Sequence, residues 1–358
     1  MSPTLAEAWR KQVAYCDANA SPFTARVLEA AWADWQAGGA LRELLPDWPG
    51  DAGADAVPLR VAGALHSLAL DTTDAALAAL YPPQCERFDA QAAPGAIAAA
   101  LQRHRARVED YLRSPPQTNE IGRSAVLLGG FAAVARATGL PLAGFEIGAS
   151  AGLNSLWHRY RYELGHGLHW GDAASLVLIR SDWHGPAPAL PLHIELASHA
   201  ASDVAPLDLA QPGAALRLAS YVWPEHRERL DRLQAAVALA QRLQVEVEAA
   251  DALAWVERQL AAPRPGVASV LFHSVMWQYL PAPTRAALRD CIAAAGARAS
   301  RAAPLAWLAF EPDRQGLFEL ALTLWPGGQR RVLATAQAHG QWVRWLSSAD
   351  AALTAPGP

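Results

Sequence analysis

The first third of the chain has the spacing of amphipathic helices. Apolar residues recur at helical intervals in the ranges 5–19, 22–36, 59–70, 73–81 and 94–112, as they do on the buried face of a helix. In the second range this stripe contains Phe23, Val27, Leu28, Ala31 and Trp32. Alternating apolar and polar residues, which would indicate a strand, are absent from this region. The sequence therefore predicts a helical N-terminal cap domain over residues 1–137.

From residue 138 to 358 the pattern changes to an alternation of strands and helices. Strands are predicted at 143–147, 175–179, 192–196, 245–249, 268–272, 305–310, 318–325 and 331–336. Helices are predicted at 152–162, 216–221, 225–241, 252–261, 282–295 and 341–352. Strands separated by helices indicate an α/β domain with a mostly parallel sheet. Pro326-Gly-Gly-Gln329 joins the last two strands and predicts an antiparallel C-terminal hairpin.

One glycine-spaced segment carries most of the functional information. A short apolar run ends in Glu146-Ile-Gly148-Ala-Ser150-Ala-Gly152 and continues through Asn154. Glycines allow a tight turn between a strand and a helix and a close approach of the backbone to a ligand. The same residues also fit Gly-x-Ser-x-Gly, the nucleophile elbow of serine hydrolases. Both a nucleotide-like ligand and a serine nucleophile are therefore open interpretations.

The region from about 142 to 336 resembles the class I S-adenosylmethionine-dependent methyltransferases. Their first motif is similar to the segment from Glu146 to Gly152, with Ser150 in place of the middle glycine. Two later segments, 245–252 and 270–280, are similar to their third and fourth strands. The resemblance implies a Rossmann-like class I methyltransferase sheet and S-adenosyl-L-methionine as the cofactor. It assigns cofactor binding to Glu146, Gly148, Ser150, Gly152, Asn154, Asp182, Asp251 and Ala252, with Asp182 as the acid after the second strand.

The same resemblance implies methyl transfer to a small molecule. His273 ends an apolar strand, and Glu120 lies in a polar segment just before the α/β domain. Either could be the catalytic base. Substrate binding is assigned to Asn119, Arg123, Ser274, Trp277 and Tyr279. Trp277 and Tyr279 could wall the pocket and hold a cation by cation–π attraction. Neither the methyl acceptor nor the methylated atom is specified by the sequence.

The chain also resembles a bacterial family known only as a numbered domain of unknown function. The similar segments include 115–124, the glycine-spaced turn through Asn154, 159–162, 170–172 and 272–279. This resemblance covers most of the chain but implies no reaction.

Simpler structural roles and two other functions remain open for these residues. The glycines could serve close packing, Asp251 could cap a helix, and His273 could be a buried, hydrogen-bonded core residue. A serine hydrolase would combine Ser150 with Asp251 and with His273 or His339. A non-catalytic protein with a methyltransferase-like fold would bind its ligand without turnover. No metal site is predicted, because His158, His166, His169 and Asp172 lack a convincing ligand spacing.

Composition narrows the range of partners. The 358-residue chain has a formal net charge of -4 and a single lysine, Lys11, which disfavours a nucleic-acid-binding surface. Its three scattered cysteines are typical of a reduced compartment. No apolar run has the length of a membrane span. We therefore expect a cytoplasmic protein that binds a small-molecule substrate. The sequence does not specify an oligomeric state.

Overall fold

The computed structural model describes residues 4–346 and divides into two compact units. The first unit comprises Met1–Thr118 and Gln211–Gln234, and the second comprises Asn119–Ala210 and Ala235–Pro358. Each unit is therefore built from two separate stretches of the chain. These boundaries differ from the predicted boundary between residues 137 and 138.

The α-helices, in chain order, are α1 (Leu5–Ala18), α2 (Pro22–Gln36), α3 (Ala40–Leu44), α4 (Val57–Leu70), α5 (Ala75–Ala78), α6 (Ala93–Arg103), α7 (Arg105–Arg113), α8 (Ser124–Thr138), α9 (Ala214–Ser220), α10 (Arg227–Leu243), α11 (Ala252–Gln259) and α12 (Ala282–Ala297). Short 3₁₀ helices span Ile121–Arg123, Leu153–Arg159 and Trp277–Tyr279. The helical N-terminal region is confirmed. The predicted helix at 94–112 is divided into α6 and α7 around His104.

The first unit has a core of its own. The predicted stripe of α2 packs inward, with Phe23, Val27 and Leu28 buried. The indole nitrogen of Trp9 in α1 donates a hydrogen bond of 2.7 Å to the Leu28 carbonyl, so a polar atom is satisfied inside this core. His66 in α4 contacts the Ser220 carbonyl at 3.1 Å. This contact ties the returning segment 211–234 to the helices of the same unit.

The strands are β1 (Leu142–Ile147), β2 (Arg161–Glu163), β3 (His169–Gly171), β4 (Leu178–Arg180), β5 (Asp182–His184), β6 (Leu196–Asp203), β7 (Glu248–Ala249), β8 (Ala268–Ser274), β9 (Leu305–Pro312), β10 (Phe318–Trp325), β11 (Gln329–Ala336) and β12 (Trp342–Trp345). All of them belong to the second unit. Within residues 4–346, nine form one sheet in the order β5-β12-β11-β10-β9-β8-β1-β6-β7, and β3-β2-β4 form a small second sheet.

The large sheet is mixed but mostly parallel. Strands β7, β6, β1, β8 and β9 are parallel, as are β12 and β5, whereas β9 to β12 form an antiparallel meander. Every residue of β1 and β8 is buried, as expected for central parallel strands covered on both faces. The α/β class, the mostly parallel sheet and the C-terminal hairpin of β10 and β11 are therefore confirmed.

Helix α8 packs against this sheet through two glycines. A Cβ atom at Gly129 would overlap the Trp345 ring, and one at Gly130 would overlap the Leu308 side chain. The helix ends at Gly139, whose φ of 65° is the left-handed conformation common after a helix. Close packing on the sheet places α8 in the second unit, although the sequence assigned it to the cap domain.

Several predicted elements differ from the structure, among them the strands predicted at 175–179 and 245–249, of which the structure forms only Leu178–Arg180 and Glu248–Ala249. The helix predicted at 341–352 is wrong over 342–345, because Val343 and Trp345 alternate with more exposed neighbours and form β12; residues 347–352 lie outside the described part. The helix predicted at 152–162 is a shorter 3₁₀ helix. The strand predicted at 192–196 begins at Leu196 and runs to Asp203.

Candidate functional site

The glycine-spaced turn follows β1 as the sequence predicted. Gly148, Ser150 and Gly152 have φ values of 67°, 54° and 73°. This left-handed region is unfavourable for residues with a side chain, so Ser150 adopts an uncommon conformation. Ser150 is 7% exposed, and its Oγ has no hydrogen-bond partner among the described residues. No histidine is therefore hydrogen-bonded to this hydroxyl, as a serine hydrolase would require.

Several backbone amides of the turn are already hydrogen-bonded within the protein. The Ser150 amide donates to Asp203 Oδ2 at 2.8 Å, and the Leu153 amide donates to Asn119 Oδ1 at 2.9 Å. The Ala149 amide donates to the Ser202 carbonyl at 3.0 Å. Phosphate-binding turns instead direct free amides at the ligand. This turn is thus better suited to a ligand without phosphates than to a dinucleotide.

Asp203 is the principal residue that the sequence analysis overlooked. It ends β6, which pairs in parallel with β1, and its carboxylate also accepts the Ala205 amide at 2.9 Å. In doubly wound sheets an acid at the end of the strand next to the glycine turn binds ribose hydroxyls. The signal was weak because β6, Leu-Ala-Ser-His-Ala-Ala-Ser-Asp, contains mostly small and polar residues.

Asp182, which the resemblance assigned to this role, lies elsewhere. It belongs to β5 at the outer edge of the sheet and pairs with Trp342 in β12. Strands β8 to β12 separate it from β1. The structure therefore does not bring Asp182 to the glycine turn, because the second strand of the parallel series is β6.

Glu146 is enclosed at the end of β1. It is 2% exposed, and its Oε2 accepts the Ser155 hydroxyl at 2.7 Å. Burial raises the pKa of this carboxyl from 4.5 to about 8, with a smaller contribution in the same direction from the charge of Asp203. Such a shift is common at functional sites. Here the geometry also shows a structural role, because Glu146 fastens the turn to the 3₁₀ helix that contains Ser155.

The polar segment 119–124 contacts the end of β8 and the turn that follows β1. Arg123 donates from Nη1 to the Ser274 carbonyl at 3.3 Å and from Nε to the Ala338 carbonyl at 3.1 Å. Glu120 is 7% exposed and accepts the Gly122 amide at 2.9 Å. Asn119, which accepts the Leu153 amide, and Arg123, which donates to Ser274, therefore join the turn after β1 to the end of β8.

Asn154 is buried between that segment and the turn. Its Oδ1 accepts the Ser124 hydroxyl at 2.8 Å, and its Nδ2 donates to the Glu120 carbonyl at 3.4 Å. It is 1% exposed. Asn154 thus links the polar segment 119–124 to the 3₁₀ helix after the turn, and its amide is not exposed to solvent.

His273 is held by two neighbouring side chains. The Trp307 indole donates to His273 Nε2 at 3.0 Å, and His273 Nδ1 lies 2.7 Å from Glu311 Oε1. Because an indole N–H can only donate, Nε2 is the acceptor and Nδ1 carries the proton. Both ring nitrogens are thus occupied, as in the simpler interpretation of a buried, satisfied histidine.

The other residues after β8 differ from one another in their contacts and exposure. The Trp277 ring stacks on His273 at a centroid distance of 5.0 Å, and Arg289 lies 5.4 Å from its centroid. Trp277 therefore already contacts a cationic side chain. Tyr279 is 76% exposed. Ser274 is buried and ends β8.

Met276 lies on the first glycine of the turn. A Cβ at Gly148 would come within 2.8 Å of Met276 Cβ and Cγ. The preceding residue, Val275, has a φ of 54°, which is strained for a β-branched side chain. The loop after β8 thus touches the glycine turn directly, and the two segments form one site.

Gly152 and Asp251 contact protein atoms. A Cβ at Gly152 would come within 2.8 Å of the Val247 side chain, so this glycine permits close packing. Asp251 Oδ1 accepts the Leu253 and Ala254 amides at 2.9 and 3.2 Å, which caps α11 at Ala252. Contact of Asp251 or Ala252 with a cofactor stays a prediction.

Two kinds of feature are absent from residues 4–346. No group of three or more histidine, cysteine or acidic residues in this range is arranged to hold a metal ion. No helix in the same range is long and apolar enough to cross a membrane.

A family model described as "Uncharacterized protein conserved in bacteria (DUF2332)" matches residues 6–345. The chain therefore belongs to this family. No curated protein matches the chain, and no solved structure matches it.

Proposed function

We propose that this member of an uncharacterised bacterial family is an S-adenosylmethionine-dependent methyltransferase that acts on a small molecule. Its five adjacent parallel strands are ordered β7-β6-β1-β8-β9. Strands β6 and β7, which follow β1 in the chain, therefore lie on one side of β1, and the later strands β8 and β9 lie on the other side. Ligands of open α/β sheets bind at the carboxyl ends of strands where the order reverses. The glycine turn lies at that point, in keeping with a class I methyltransferase-like sheet.

The observation that carries the proposal is the pairing of Asp203 with the turn. The carboxylate lies 2.8 Å from the Ser150 amide, and each of its oxygens can accept a further hydrogen bond. It is therefore placed to accept ribose hydroxyls from a nucleoside beside the turn. The unpartnered Ser150 Oγ offers a second polar contact in the same place.

The chemistry of the site fits S-adenosylmethionine better than a nucleotide. This cofactor has ribose hydroxyls and an amino-acid group but no phosphate, and the turn has few free amides for a phosphate. When bound, it supplies an electrophilic methyl group. Asp203, Ser150 and Gly148 would hold it.

The remaining task of the protein is to position the acceptor and to accept its proton. Glu120 is a buried carboxyl at this edge of the sheet and is our candidate base. His273 is a weaker candidate, because Trp307 and Glu311 occupy both of its ring nitrogens.

Isothermal titration with S-adenosylhomocysteine tests the proposal. We expect micromolar binding by the wild type and at least a tenfold loss in Asp203→Asn, which keeps an acceptor for the Ser150 amide but removes the charge. Asp182→Asn is the matched control and should bind like the wild type. Absence of binding by the wild type, or equal binding by all three proteins, would refute the assignment.

A non-catalytic ligand-binding protein is the second candidate. It is favoured by the occupied nitrogens of His273 and by the contact of Met276 with Gly148. Binding of S-adenosylmethionine without methyl transfer to any of a broad set of small nucleophiles would support it.

A further inference from the structure

Glu311, at the end of β9, has an unusually uneven set of hydrogen bonds. Its Oε1 accepts the Met276 and Trp277 amides at 3.0 and 3.2 Å and lies 2.7 Å from His273 Nδ1. Three N–H groups of the described chain thus converge on one carboxylate oxygen. They fix the position of the carboxylate and leave its second oxygen for another partner.

The partner residues make this arrangement rigid. His273 is 1% exposed, and the Trp307 indole fixes its tautomer, so that Nδ1 donates to Glu311. The two amides belong to the start of the short helix Trp277–Tyr279. Glu311 consequently joins the buried end of β8 to the loop that touches Gly148.

The second carboxylate oxygen of Glu311 has an unexplained environment. Oε2 is shielded from solvent and has no hydrogen-bond partner among the described residues. Its side chain as a whole is 15% exposed. An enclosed carboxylate oxygen without a donor is unfavourable, and natural proteins keep such groups where they have a task.

We infer that Glu311 Oε2 binds the protonated nitrogen of a small amine, and that the methyl acceptor is therefore an amine nitrogen. This inference rests on the proposed function for the reaction, but the amine site itself can be tested alone. An ammonium group is the natural partner, because it combines a positive charge with N–H donors. A carboxylate or phosphate ligand would be repelled.

The chemistry of nitrogen methylation gives Glu311 a second task. An ammonium ion has no free electron pair, so it must lose a proton before its nitrogen can act as a nucleophile. The Glu311 carboxylate accepts that proton and becomes a carboxylic acid, while the nitrogen keeps the electron pair of the broken N–H bond. For an amine acceptor, Glu311 therefore takes the role of base in place of Glu120, since the same residue selects the substrate and activates it.

The loop after β8 is the more exposed of the two segments that are hydrogen-bonded to Glu311 Oε1. None of the residues Trp277–Tyr279 is buried, and the start of this helix is held by the two amide bonds to Glu311. Val275, just before them, is in the strained left-handed region. We therefore expect the amine to approach Glu311 through this exposed loop.

The test compares two probes that differ only in the charged group, phenethylamine and 2-phenylethanol. Their dissociation constants are measured by ligand-observed NMR with the wild type and with Glu311→Gln. We expect the wild type to bind the amine at least tenfold more tightly than the alcohol, a difference of about 1.4 kcal/mol. In Glu311→Gln, whose amide is close in size and shape to the carboxylate, this preference should disappear.

Glu319→Gln is the matched control. Glu319 in β10 is paired with Glu311 in β9, and the variant loses the same charge. It should keep the amine preference within threefold. Equal affinity of the wild type for amine and alcohol, or an unchanged preference in Glu311→Gln, would overturn the inference. Thermal unfolding of each variant establishes that it is folded.

Titration with S-adenosylhomocysteine separates this inference from the proposed function. Cofactor binding without amine preference removes the inference and keeps the proposed function. Amine preference without cofactor binding removes the proposed function and keeps the amine site at Glu311.

Discussion

The pKa of Glu146 can be tested through the dependence of protein stability on pH. Burial raises its pKa from 4.5 to about 8, so between these values the folded protein binds a proton that the unfolded chain does not. The stability from this proton is complete below about pH 4.5 and is lost as the pH rises toward 8. The replacement Glu146→Gln keeps the shape and the acceptor for Ser155 but removes the titration.

The size of the effect follows from the shift in pKa. Each pH unit in the window costs the wild type about 1.4 kcal/mol of unfolding free energy, and the full shift corresponds to on the order of 5 kcal/mol. Between pH 5.5 and 7.5 we therefore expect the wild type to lose on the order of 3 kcal/mol relative to Glu146→Gln. The comparison with the variant cancels other titrating groups, such as His66, whose pKa burial lowers to about 4.

Urea denaturation at pH 5.5, 6.5 and 7.5, followed by circular dichroism, measures this difference. Glu257→Gln is the control, because Glu257 is an exposed residue of the same unit and its replacement should give a nearly constant difference from the wild type. A constant difference between the wild type and Glu146→Gln would show that Glu146 is not held as a protonated, buried carboxyl, and would refute the reasoning.

Two further predictions concern packing and capping. Gly130→Ala places a methyl group against Leu308 and should destabilise the protein by about 1–3 kcal/mol, whereas Gly95→Ala in α6, which meets open space, should not lower the melting temperature. Asp251→Ala removes the acceptor for two amides of α11 and should cost about 1 kcal/mol, while Asp251→Ser should retain most of the cap. Thermal unfolding checks both pairs, and equal melting temperatures within either pair would contradict the corresponding argument.

The sequence was most informative where burial produces a strong pattern. The strands β8 and β10 and the helix α2 were recognised because their apolar residues are continuous or regularly spaced. The turn after β1 was recognised because left-handed backbone favours glycine. The polar segment around Asn119 was also identified as a part of the site, although its partners in the turn and in β8 were not.

The remaining features depend on contacts between distant parts of the chain. Strand β6 contains mostly small and polar residues, so its pattern was weak and the acid at its end, Asp203, was not identified. Glu311 directly follows the predicted strand 305–310, but its bonds to His273 and to the loop amides arise only when β8 and β9 pair. Residues 124–138, which form α8, fall almost entirely within the predicted cap domain, and their packing on the sheet is seen only in the structure.

The pairing of β12 with β5 also has a consequence for how the second unit is assembled. This pairing joins residues 182–184 to residues 342–344, and the Trp345 ring fills the space beside Gly129 in α8. The sheet can therefore be completed only after almost the whole described chain has left the ribosome. Such distant pairings slow folding, because a long loop must close before its contacts can form. During synthesis, the edge of β11 stays open until β12 arrives, and this edge is the surface at which we expect a chaperone, or a second nascent chain, to bind first.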